Sequence, residues 1–119
     1  MKDNIIKNKS FAFALRIVKA YQFLCEQQKE YVMSKQMLRS GTAIGAMVRE
    51  AEQAESSADF VHKMAIALKE ANETDYWIEL IAQSNYLEEK IATSLKNDLV
   101  EILKLLTAII KTSKENAKK

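Results

Sequence analysis

The chain contains one histidine, His62, and one cysteine, Cys25, so few of its residues suit metal or nucleophilic chemistry. A di-iron site in a helical bundle needs Glu-x-x-His on two helices and a further Glu on each of the others. Here Asp59, rather than a Glu, precedes the single histidine by three positions. We therefore interpret His62 as a surface or interface residue and expect no metal site.

The remaining candidates for catalysis have simpler interpretations. Cys25 has no intrachain disulfide partner and falls on an apolar stripe, where a buried structural thiol is commoner than a nucleophile. Glu70 and Glu73 lie one helical turn apart, a spacing more typical of solvated or ion-paired carboxylates than of an acid–base pair. The chain has no Gly-rich phosphate loop, nucleophile elbow or triad. The sequence thus predicts a protein that is not an enzyme and uses no cofactor.

Charge is segregated along the chain. Residues 1–49 contain nine Lys or Arg and three Asp or Glu, residues 50–89 contain two and ten, and residues 90–119 contain seven and three. Two basic segments side by side, without compensating acids, favour a polyanionic partner such as RNA or DNA. The candidate phosphate-binding residues, all expected to face outward, are Lys9, Arg16, Lys19, Lys104 and Lys111.

The segment 58–82 carries two apolar stripes at helical spacing, which predicts a helix with two partners. An aromatic pair such as Tyr76-Trp77 can stack on a base, but beside Ile66 and Leu80 it is more typical of a protein interface. We expect Arg39 to pair with a carboxylate of the acidic segment, within the chain or across a subunit boundary. The candidate homo-oligomer interface comprises Ile66, Glu73, Tyr76, Trp77, Leu80 and Arg39.

Two glycines and no proline argue for long helices with few turns. We predict four helices over residues 10–28, 32–55, 57–84 and 88–113, with residues 1–9 and 114–119 frayed. The short connections predict an antiparallel up-down-up-down four-helix bundle, all-α, forming a single domain over 1–119. In the second helix, the Gly41-x-x-x-Gly45 spacing predicts a close approach to a neighbouring helix. The inward stripe of the first helix is predicted as Phe11, Ala14, Ile17, Val18, Tyr21, Leu24 and Cys25.

No segment resembles a signal peptide or a membrane span, since charged residues interrupt every apolar run. The single cysteine is consistent with a reducing compartment. We therefore expect a cytoplasmic protein that does not engage a membrane.

Two stretches, LRSGTAIGAMVREA and ADFVHKMAIALKEANETDYWIELI, resemble the signature motifs of the bacterial four-helix bundle proteins encoded in 23S rRNA intervening sequences. The SFAFALRIVKAYQFL and LLTAIIKTSK segments are also similar, so the resemblance covers nearly the whole chain. One departure is Met47, where the family usually has Asn. The resemblance implies a ring-like homo-pentamer and kinship with accessory proteins of diversity-generating retroelements, which bind nucleic acid and a reverse transcriptase.

Two functional hypotheses follow. The first is a non-enzymatic, oligomeric accessory protein that binds RNA or DNA through its basic surface. The second is a scaffolding homo-oligomer whose partner is another protein. Salt-dependent retention on nucleic acid distinguishes them, since a protein scaffold would show little of it.

Overall fold

In the computed structural model, which describes residues 4–118, the chain forms four α-helices, and this part of the chain contains no strand. The helices are α1 (Ile5–Glu26), α2 (Met33–Ala51), α3 (Ser57–Gln83) and α4 (Glu89–Ala117). Each helix packs against its two neighbours in the order α1, α2, α3, α4 and back to α1. The all-α four-helix prediction is confirmed. Across the described segment, no helix has both the length and the apolar character needed to cross a bilayer.

The first and last helices are longer than the sequence predicted. Asn4 caps α1, because its Oδ1 accepts a hydrogen bond from the Lys7 backbone N–H at 3.1 Å, and Ile6 is buried. The expectation of a frayed start is therefore wrong for residues 5–9, and residues 1–3 lie outside the described range. Similarly, α4 continues to Ala117, four residues beyond its predicted end, and only residue 119 of the predicted loose tail is not described.

The inward face of α1 differs from the predicted stripe. Phe13 is only 1% exposed, whereas Phe11 is 49% and Leu15 is 52% exposed. The sequence misled because α1 is apolar on two faces, so periodicity alone did not select the buried one. This difference in the inward face matters for function. With the observed face buried, Lys9 and Arg16 lie next to α4 rather than on the outer side of α1. The buried residues of α1 are Ile6, Ser10, Phe13, Ile17, Ala20 and Leu24.

The predicted close approach of α2 to a neighbour is confirmed at Gly41. A Cβ placed on Gly41 would lie 2.9 Å from two side-chain carbons of Ile17 on α1. Gly45 is less constrained, since its Cβ would meet Ser10 at ordinary distances of about 3.5 Å. The absence of a side chain at Gly41 therefore sets how closely α1 and α2 pack.

Two tight connections shape one end of the bundle. Lys29, between α1 and α2, and Asn85, between α3 and α4, both adopt positive φ angles, of 56° and 69°. Asn85 follows the end of α3, and Asn tolerates this left-handed conformation. At the other end, Ser56 caps α3, because its hydroxyl accepts a hydrogen bond from the Asp59 backbone N–H at 3.0 Å.

Candidate functional site

The basic residues of α1 and α4 meet acidic residues along the seam between these helices. Arg16 Nη1 lies 2.6 Å from Asp98 Oδ2, and Arg16 Nη2 donates to Ser94 Oγ at 3.0 Å. Lys9 Nζ lies 3.5 Å from Glu101 Oε1. The expectation that this flank lacks compensating acids is therefore wrong for Lys9 and Arg16. The error arises because the buried face of α1 differs from the predicted one. The observed face places both cations next to the acids of α4.

The other three candidate phosphate-binding residues are differently placed. Lys19, Lys104 and Lys111 are exposed, and none forms an ion pair with another residue in the range 4–118. Lys104 and Lys111 are two turns apart and share one side of α4, whereas Lys19 lies on α1 beside the seam. The structure thus divides the five predicted cations into a neutralised pair, one residue at the seam and two on α4.

The carboxyl-terminal half of α4 extends this basic surface beyond the predicted residues. Lys118, the C-cap of α4, follows Lys111 by a further seven positions, so Lys104, Lys111 and Lys118 form a row that we term the α4 lysine row. From Ile102 to Lys118 the chain contains four lysines and one acid, Glu115. Sequence reasoning missed Lys118 because it treated the tail as loose. The seven-residue spacing was the signal that could have identified it.

Arg39 forms its predicted carboxylate pair within the chain. Its guanidinium lies 2.5 Å from Glu73 Oε2 and 3.3 Å from Glu70 Oε1 on α3. Trp77 Nε1 donates to the same oxygen of Glu73 at 3.0 Å. A hydrogen bond from the Trp77 indole, followed in size by one from the Arg39 guanidinium, lowers the pKa of Glu73. Hydrogen bonds to Glu73 and Glu70 raise the pKa of Arg39. These contacts form a polar network between α2 and α3.

The predicted interface residues of α3 differ in exposure. Trp77 packs half-buried against the core, and Ile66 is also half-buried. Tyr76 and Leu80 are more exposed, by 58% and 36%. The Tyr76 and Trp77 rings still meet edge to face, with centroids 5.1 Å apart. The structure therefore leaves Tyr76 and Leu80 as the apolar candidates that are accessible to a partner.

The candidate nucleophile and metal ligand are isolated. Cys25 is half-buried, with Sγ 3.9 Å from the Ser34 hydroxyl, and it raises the pKa of the Tyr21 phenol mainly through a hydrogen bond. His62 is exposed on α3. Among residues 4–118, no group of three or more His, Cys, Asp or Glu side chains is arranged to hold a metal ion.

Comparison with known proteins places this bundle in a family. The family model described as "23S rRNA-intervening sequence protein" matches residues 2–108. A similar solved structure is the 1.70 Å crystal structure of a protein of unknown function from the S23 ribosomal protein family of Bacteroides thetaiotaomicron VPI-5482. It is 60% identical, with 93% of this chain and 99% of that chain covered and a TM-score of 0.90. No curated protein matches the chain. The chain therefore belongs to the family of 23S rRNA-intervening sequence proteins.

Proposed function

We propose that this protein is a non-enzymatic homo-oligomer that binds RNA or DNA through the phosphate backbone. The observation that carries the proposal is the α4 lysine row, where Lys104 and Lys111 are exposed and have no acidic partner among the described residues. Cations already engaged by carboxylates contribute less to a polyanion, because the existing pair must be given up. The family name agrees with an RNA-related role.

The surface supports binding by charge rather than by sequence. The lysines of this row act as flexible point charges, which suit phosphate oxygens but do not provide the planar, bidentate geometry that reads base edges. The exposed aromatic residue of α3, Tyr76, lies on a different helix from the α4 lysine row. We therefore expect little preference among sequences.

A second function, a scaffold for a protein partner such as a reverse transcriptase, is favoured by a different observation. Exposed large apolar side chains occur on α1 and α3 as well as on α4, and apolar surface of this kind marks protein contacts. The most exposed of these on α1 and α3 are Ile5, Leu15, Phe11 and Tyr76. Self-association covers such surface too, so this candidate is the main alternative to nucleic-acid binding.

The proposal is tested by the salt dependence of binding to duplex DNA. Neutralising each phosphate contributes about −0.9 to the log–log slope of the binding constant against salt. Replacing Lys104 and Lys111 together with Ala should weaken binding to all sequences alike and make the slope shallower by about two for each protomer engaged.

The matched control removes the same charge from paired lysines. Lys63 pairs with Glu50 at 3.0 Å, and Lys96 pairs with Glu79 at 2.6 Å. The Lys63→Ala, Lys96→Ala double variant should retain a slope close to that of the wild type. Wild-type protein that does not bind RNA or DNA at low salt would refute nucleic-acid binding and leave the scaffold as the better proposal.

A further inference from the structure

An apolar groove lies between α1 and α4 near the end of the bundle where α1 finishes. Phe23 and Ile91, each 39% exposed, line a hollow of about 350 Å³ whose remaining apolar walls are buried. Arg16 and Lys19 are the only charged residues of its lining. We define the α1/α4 groove by its lining, which is Arg16, Lys19, Ala20, Phe23, Leu87, Ile91 and Leu95.

A second surface has the opposite charge. On the outer side of α3, Tyr76 and Leu80 border a shallow hollow of about 300 Å³, and the charged residues of its lining are Asp75 and Glu79. We define the α3 patch by its lining, which is Asn72, Asp75, Tyr76, Glu79, Leu80 and Gln83.

We propose that the α3 patch of one copy of this chain docks into the α1/α4 groove of the next. The proposal rests on the self-association proposed above and identifies the two halves of the contact. Each surface has an apolar centre, and the groove contributes two cations and no acid, whereas the patch contributes two acids and no cation. Complementary charge around an apolar centre is the arrangement expected of a specific protein interface.

The acidity of the patch persists despite ion pairs within the chain. Lys96 lies 2.6 Å from Glu79 and 3.8 Å from Asp75. This single lysine balances only one of the two carboxylates, so the patch keeps a net negative charge. In the groove, Asp98 engages Arg16 at 2.6 Å, and Lys19 has no partner among the described residues. Lys19 is therefore the cation most available to the acidic patch of a neighbouring copy.

The two surfaces lie at the same level of the bundle. Leu95 lines the groove, and Lys96, the next residue on α4, contacts both acids of the α3 patch. The groove is on the α1 side of α4 and the patch is on neighbouring α3, so the two surfaces occupy different sides of the molecule without a shift along its axis. A contact between two different surfaces is heterologous, and it forms a ring where the rotation between copies closes and an open filament where it does not.

The inference changes the role of two predicted nucleic-acid ligands. Arg16 and Lys19 serve the subunit contact, and phosphate binding is left to the α4 lysine row. It also separates the predicted interface residues of α3. Tyr76 and Leu80 make the contact, whereas Trp77 supports them from within the subunit.

The test uses two variants of the full chain, each blocking one half of the contact. Ile91→Asp places a carboxylate in the groove, and Leu80→Asp removes the apolar centre of the patch. Each variant alone should associate at least about 30-fold more weakly than the wild type, the factor corresponding to a hot-spot loss of about 2 kcal/mol. Mixing the two should restore a dimer, because one intact groove then meets one intact patch. Analytical ultracentrifugation measures each state, and circular dichroism checks that each variant is folded.

Leu15→Asp is the matched control, since Leu15 is exposed on α1 outside both surfaces and its replacement should leave assembly unchanged. A further pair of substitutions tests the charge complementarity between groove and patch, and neither substitution places a charge at an apolar position. Lys19→Glu should weaken assembly, and Glu79→Lys in the same chain should restore it.

The outcomes separate this inference from the proposed function. A wild-type monomer would overturn both this contact and the proposed self-association. A wild-type oligomer that persists in Ile91→Asp or in Leu80→Asp would overturn this contact alone. Folded single variants that dissociate but do not associate on mixing would also overturn it. Loss of assembly in Leu15→Asp would assign the interface to the outer face of α1 instead.

Discussion

At the scale of single residues, Glu30 is the side chain whose role the sequence did not indicate. Glu30 is only 8% exposed. Its carboxylate accepts hydrogen bonds from the backbone N–H groups of Val32, Met33 and Ser34 at 2.7 to 3.0 Å. These groups belong to the start of α2, whose N-cap residue, Val32, provides no side-chain cap. Burial alone would raise the pKa of Glu30, but the hydrogen bonds outweigh it and lower the pKa below its ordinary value.

This cap predicts a dependence of stability on pH. A carboxyl group whose pKa is lower in the folded state stabilises the fold above its unfolded pKa of about 4.3, and the stabilisation is lost as pH falls through the folded pKa. At neutral pH, Glu30→Ala should reduce the free energy of unfolding by about 2 kcal/mol. Urea denaturation should show the difference between the two proteins shrinking towards about pH 3. The exposed Glu26→Ala is the control, and a difference independent of pH would contradict the assignment.

The pair between Arg39 and Glu73 is expected to contribute modestly. Both side chains are partly exposed, at 49% and 34%, and a pair in contact with water is typically worth about 0.2 to 1 kcal/mol. A double-mutant cycle with Arg39→Ala and Glu73→Ala should give a coupling in this range. Trp77→Phe, which removes the indole donor to Glu73, should reduce stability separately. Absence of coupling would mean that the Trp77 hydrogen bond, rather than the ion pair, is the stabilising contact of Glu73.

At the scale of helices, the two glycines of α2 should respond oppositely to the same substitution. Gly41→Ala places a methyl group against buried Ile17, a stiff β-branched side chain, so overpacking should cost about 1 to 3 kcal/mol. Gly45→Ala meets Ser10 at ordinary contact distance and gains helix propensity, so it should be neutral or stabilise by up to about 1 kcal/mol. Thermal unfolding measures both variants. Equal effects would show that the approach of α1 to α2 is not limited at Gly41.

The elements show why some helices were predicted well and one was not. In α2 and α3 the face that combines apolar and small residues is the buried one, with Ile44, Val48, Ala71 and Ile78 in the core. In α1, apolar side chains surround the helix, so the sequence allowed two inward faces. Tertiary packing selects between them, and that information lies in α2 and α4 rather than in α1. The start of α1 was missed because a lone Asn, Asn4, supplies its cap.

At the scale of the whole molecule, net charge along the chain did not indicate which side chains pair across the bundle. The bundle measures 52 × 24 × 21 Å, and its α1/α4 seam brings basic and acidic side chains together across more than 80 positions of sequence. Segment charges do not reveal such pairings, because they depend on which flank of each helix faces the seam. The candidate phosphate-binding surface could therefore be assigned to helices from the sequence, but not to individual residues.

Assembly should amplify a weak basic surface. A single protomer has only the lysines of one α4 lysine row. Several copies joined through the proposed contact repeat that row on one particle. When one protomer binds a long polyanion, the next binds at a high effective concentration, and such linkage typically raises affinity by about 10² to 10⁴ without new contacts.

This amplification is tested by measuring the affinity of the wild type and of the Ile91→Asp variant for duplexes of two lengths. On a duplex that admits one protomer, both proteins should bind alike, because Ile91 is distant from the α4 lysine row. On a long duplex, the wild type should bind at least about 100-fold more tightly than the variant and show a steeper salt slope. Fluorescence anisotropy at several salt concentrations measures both quantities. Equal affinities on the long duplex, with the wild type assembled, would mean that the lysine rows of an assembly cannot engage one polyanion together.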